Sequence, residues 1–140
     1  MNAHDAVPAV PAATASRVRD LAAGSLREFF AKADRIYGVI LVVEWALLVA
    51  TAVFYTPRTW IGAASATHAH VWAAIVLGAL AAVPGFALSR LRPGETITRT
   101  LVGAGQGALV GLFIYVSGGR IESHFAVFVS LATLLIYRDK

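Results

Sequence analysis

Two groups of residues carry chemistry in places where a polar side chain is costly. Glu44 lies eight positions inside an apolar run that extends from about Ile36 to Tyr55. At 1.5 Å per helical residue that is roughly 12 Å of depth. A carboxylate there must protonate, pair or line water. Gln106 lies eight positions inside another run, Thr98 to Val116, and Ser130 of a further run comes near the same layer. A Glu44–Gln106 hydrogen bond is the simplest way to satisfy both, giving a polar pair that fixes helix register. The alternative is a proton-responsive or ligand-contacting carboxylate, which would also serve a small transporter. With no second carboxylate or basic residue beside it for a relay, Glu44 reads first as a neutral, hydrogen-bonded member of a structural pair.

The second group gathers at the ends of the runs. His68 and His70 open one, Tyr115 closes another, and Glu122 and His124 begin the last. Imidazole and carboxylate without thiol suit Zn, Cu, Fe or Ni, which makes His68, His70, Glu122 and His124 candidate ligands of a transition metal. On a helix, H-x-H splays its rings about 200° apart, so both reach one ion only on extended backbone. A hydrogen-bonded polar cap with no cofactor is the plainer expectation, and a quinone or haem contact a third. The chain has no cysteine, hence no thiolate site, and no catalytic triad, P-loop, HExxH or dinucleotide motif appears. Enzymatic activity is not expected.

The elements that must position these residues follow from composition. Of 140 residues, 58% are hydrophobic and 14% charged, against about 45–50% and about 25% in soluble domains. The surplus lies in four runs, Ile36–Tyr55, His70–Leu88, Thr98–Val116 and Ile121–Tyr137. A crossing helix needs ~20 apolar residues, and Trp60, Trp72, Tyr37, Tyr55, Tyr115 and Tyr137 fall at run ends, where aromatic belts form. Before them, Val18, Leu21, Ala22, Leu26, Phe29, Phe30 and Ala33 recur at helical spacing, with Arg17, Arg19, Asp20, Arg27, Glu28 and Lys32 on the other side. That pattern predicts an amphipathic helix, capped by Ser16 and suited to a membrane surface. The expected fold is all-α: an integral membrane four-helix bundle (35–140) with an N-terminal amphipathic interfacial helix (16–34) and a flexible Ala/Pro-rich tail (1–15). The tail lacks the cationic start and apolar core of a signal peptide.

Ten of the twelve cations flank one side of these runs, and Arg58 and Arg120 the other. Both ends of the chain are therefore expected in the cytoplasm. The net charge of +4 is mostly topology, so nucleic acid is not an expected partner; membrane lipids and other membrane subunits are. Small residues let helices approach in lipid. Gly103, Gly107 and Gly111 make one such row and Ala74, Gly78 and Ala82 another, expected to pack against neighbours within the bundle or against another protein. Pro84-Gly85 is expected to kink or end the second span.

The run TPRTWIGAASATHAHVWAAIVLG, the loop LRPGETITR and the stretch GGRIESHFAVFVSLATLLIYRD together resemble a bacterial membrane-embedded sensory region. Such regions stand at the N-terminus of some histidine kinases and chemotaxis-type signalling proteins. The resemblance covers roughly residues 33–140 and implies a multi-helix membrane bundle in the bacterial cytoplasmic membrane, with its His/Glu positions at the exterior. Histidines would be expected where Tyr115 and Ala126 stand, and an output domain beyond Tyr137-Arg138-Asp139. Those departures turn the expectation away from a complete sensor. It becomes a non-catalytic accessory subunit docked by helix packing into a larger membrane complex, an energy-transducing respiratory or photosynthetic assembly being one setting. The alternative is a minimal sensor or ligand-binding module signalling through a separate partner.

Overall fold

The computed structural model describes residues 11–55, 58–62 and 64–135. It consists of four helices and one short hairpin: α1 (Ala12–Tyr55), β1 (Arg58–Ile61), β2 (Ala64–Thr67), α2 (Ala69–Leu91), α3 (Thr96–Val116) and α4 (Ile121–Leu134). The expectation for residues 1–10, and for Tyr137, Arg138 and Lys140, lies outside the described residues. The all-α bundle is as expected. Three of its helices, α1, α2 and α3, are long and apolar enough to cross a membrane. The described part of α4 has 14 residues, about 21 Å of helix.

The amphipathic segment and the first span, expected as separate elements, are one unbroken helix of 44 residues. Its length is about 66 Å, twice a hydrocarbon core. The physical reason is local. A change from amphipathic to apolar composition is not a stop signal; helices stop at caps, Gly or Pro, and Asp34-Arg35-Ile36 contains none. The helix also opens earlier than expected, where the Pro11 carbonyl accepts from the amides of Thr14 and Ala15. Ser16 is consequently interior, and its hydroxyl donates back to the Ala13 carbonyl at 3.0 Å instead of capping.

The segment expected as a loop between the first two spans contains the antiparallel β1–β2 hairpin, in register Arg58 with Thr67 through Ile61 with Ala64. Gly62 takes φ +63° at its turn, the left-handed conformation that tight hairpins require. α2 runs through Pro84 to Leu91 without ending. In lipid, neighbouring helices and local adjustment accommodate the backbone groups that a proline frees.

α1 packs along both α2 and α3, α2 packs along α3, and α4 lies mainly along α3. Close approach occurs at small residues. On α2, Ala74, Gly78 and Ala82 are buried as expected, and Gly78 faces Trp45, whose Nε1 donates to the Ala74 carbonyl at 3.1 Å. Gly38 on α1 sits against Ser89. On α3 the expected row is not the packing face. A Cβ on Gly107 or Gly111 would meet nothing within 4 Å, and one on Gly103 only Leu134 at 3.9 Å. Gly105 is the contact instead, where a Cβ would fall 2.5 Å from the Ala81 carbonyl oxygen. Val102, Gly105, Gln106, Leu109 and Val116 face inward. At 100° per residue, Gly107 points roughly 150° away from the centre of that face.

Alanine at Gly105 is expected to cost about 1–3 kcal/mol, the usual range for overpacking a close contact. Alanine at Gly107 is expected to leave the isolated chain unchanged. Unfolding of both variants in mixed micelles, followed by circular dichroism, measures the difference.

Candidate functional site

The bundle is tied by polar contacts at successive depths. At one end, Asp34 is fully buried and its Oδ2 accepts from the Gly94 amide at 2.7 Å. Gly94 adopts φ +84° in the α2–α3 turn, a conformation natural to glycine, and so presents its N–H to α1. The Arg99 guanidinium lies 4.2 Å from the centre of the Phe30 ring. Slightly deeper, the Tyr37 hydroxyl donates to the Thr133 carbonyl, linking α1 to α4.

Glu44 and Gln106 meet at the middle layer. The Gln106 Nε2 donates to both carboxylate oxygens, at 2.6 and 2.7 Å. Gln106 is buried and Glu44 half-buried. The Gln106 Oε1 is buried with no hydrogen-bond partner among the described residues. Ser130, expected near this layer, is buried on α4, but Gln106 is the side chain that bonds Glu44. Beside the pair, α1, α3 and α4 part into an open cleft. Leu48 and Leu109 are buried at its floor, Leu47 is exposed at its rim, and Ala126 closes it from α4.

At the other end the expected metal ligands divide. His68 caps α2 on extended backbone (φ −63°, ψ 143°), and its Nδ1 accepts from the His70 amide at 3.1 Å. The two imidazoles lie 4.2 Å apart, and the His70 ring meets Tyr115 edge-on at 4.6 Å. Glu122 stands elsewhere, 3.9 Å from Arg120 and in a second cleft with Thr51 and Tyr55. The exposed His124 contacts the Arg120 carbonyl through Nδ1 at 2.9 Å. Among the described residues no three His, Asp or Glu side chains come together as metal ligands, so the four-residue set His68, His70, Glu122 and His124 is not assembled. The cause is the helical twist of α3. Tyr115 and Phe113, two residues apart and therefore about 200° apart around the axis, face the histidines and the Glu122 cleft respectively, with the body of α3 between them.

No protein-family model, curated protein or solved structure matches this chain. The geometry alone therefore identifies its chemical features.

Sequence reasoning did not single out Asp34 and Trp45. Asp34 reads as one more boundary charge beside Arg35, and Trp45 as one more apolar residue of its span. An Asp at the last turn before a span, opposite a Pro-Gly loop, is the signal that was present. Gln106→Leu is expected to lower stability by about 1 kcal/mol, the scale of interhelical hydrogen bonds in lipid. Gln106→Glu, which sets two carboxylates together, should cost more at neutral pH than at pH 4. Unfolding in mixed micelles at the two pH values checks both.

Proposed function

We propose that this chain is a non-catalytic integral membrane subunit that docks by helix packing into a larger membrane protein complex. The observation that carries the reading is the unused glycine row of α3. The chain's own helix contacts use Gly38, Gly78, Gly85 and Gly105, whereas among the described residues a Cβ on Gly107 or Gly111 would meet nothing within 4 Å and one on Gly103 only the tip of Leu134. In lipid, such a row is the surface on which a second helix gains van der Waals contact by close approach. The long N-terminal half of α1 adds to this, exposing Val18, Leu21, Leu26 and Phe29 among its cations. Lipids and other membrane subunits are the partners. In this reading the chain sits in a bacterial cytoplasmic membrane, the hairpin and Arg120 outside and the Asp34–Gly94 end inside, following the distribution of cations. The resemblance of residues 33–140 to sensory regions of histidine kinases and chemotaxis-type signalling proteins rests on sequence motifs alone and would fit such a bundle.

Gentle detergent extraction followed by native-gel mass analysis tests the docking. Migration well above the 14.8 kDa of the chain, with a defined companion, is expected. Leucine at Gly107 and Gly111 should release the companion without loss of helicity, whereas a lone species in native membranes would refute the reading. Because the chain lacks cysteine, single cysteines at Ser25 and Ser65 report topology directly. A membrane-impermeant thiol reagent added to intact cells should label the second and spare the first.

A further inference from the structure

Among the described residues Glu44 has a partner for its hydrogen bonds but none for its charge. The ion pairs between described residues are Arg92 with Glu95 and Arg120 with Glu122, both outside the middle layer. The carboxylate nevertheless forms part of the wall of an otherwise apolar cleft, with Leu47, Leu48, Leu109, Val110 and Phe113 around it. Its place is held by the Gln106 Nε2 on both oxygens. A carboxylate has about four lone-pair positions, so it retains capacity for a further donor. The orphaned Gln106 Oε1 adds a second negative pole to the same layer.

We propose that this cleft binds a lipophilic organic cation, an apolar or aromatic body carrying a quaternary or protonated-amine centre, with its charge against Glu44. Each part of such a ligand has a counterpart. The apolar body replaces lipid against the leucines and Val110, and the Phe113 ring offers a face that attracts cations. The charge favours the ionised form of a carboxylate whose hydrogen-bond partner among the described residues is the neutral Gln106 amide. A neutral amphiphile would gain only the apolar contacts, and an anion would meet repulsion. Entry is provided along α1. The Glu44 cleft and the second cleft, of about 740 Å³, share Phe113, and the latter is lined by Thr51, Tyr55, Ser117 and Glu122. Phe113 stands between the two clefts, and Tyr55 lies about 16 Å from Glu44 along the axis of α1. This site is independent of the docking surface on α3, and its test needs no partner protein.

Equilibrium dialysis of the purified full chain in detergent, with tetraphenylphosphonium and the near-isosteric anion tetraphenylborate, tests the proposal. Saturable one-to-one binding of the cation alone is expected. Glu44→Gln should weaken it at least tenfold, and so should Ala126→Trp, which fills the cleft and leaves Glu44 in place. Circular dichroism verifies that each variant is folded; should one fail to fold, the other decides. Equal uptake of both ions, no saturable uptake of the cation, or unchanged binding in a folded variant would overturn the proposal.

Discussion

Lipid offers apolar side chains nothing to escape from, so these helices hold together through close backbone approach and through hydrogen bonds that hydrocarbon leaves no other means of satisfying. Both devices converge on one face of α3. Gly105 brings α3 against the Ala81 carbonyl, and the neighbouring Gln106 reaches across to Glu44. Because adjacent residues are 100° apart, these two contacts together set the rotation of α3 about its axis. Once that rotation is set, much else follows. Val102 and Leu109 enter the core, Tyr115 turns toward His70, Phe113 toward the α1–α4 side, and Gly107 and Gly111 outward.

The same rotation separates the groups that the sequence places at one end of the bundle. His68 and His70 gather on the α2 side of α3 and Glu122 on the α1 side. His68 also commits its Nδ1 to capping α2. A shared depth is therefore not a shared site. What the separation leaves is a carboxylate and an apolar cleft in the middle layer, and the buried clasp of Asp34 on Gly94 at the far end. The clasp joins α1 to the α2–α3 turn, and the cleft opens where α4, packed mainly on α3, stands away from α1.

How far the sequence could be read depended on the kind of quantity involved. The Glu44–Gln106 pair was legible because depth is a count along a helix, and two polar residues eight positions inside facing runs must seek each other. Ala74, Gly78 and Ala82 were legible as a buried row from their four-residue spacing, and Trp45 lies against the middle of it. Spacing left open whether the Gly103/Gly107/Gly111 row of α3 packs within the bundle or faces outward, and the inward face is the one through Gly105. The continuity of α1 is not legible from polarity, because a change from amphipathic to apolar composition leaves helix propensity unbroken through Asp34 and Arg35.

By itself, then, the sequence determined that the chain is a bundle of apolar helices, where α2, α3 and α4 begin to within a few residues, and which polar residues share a layer. These are one-dimensional properties, carried by composition and helical rise. Only the tertiary structure decided which face of α3 points inward, which glycines touch, that α1 is a single rod, and that the histidines do not meet Glu122. The orientation of a helix about its own axis is set by all its neighbours together, and no spacing along one chain segment encodes it.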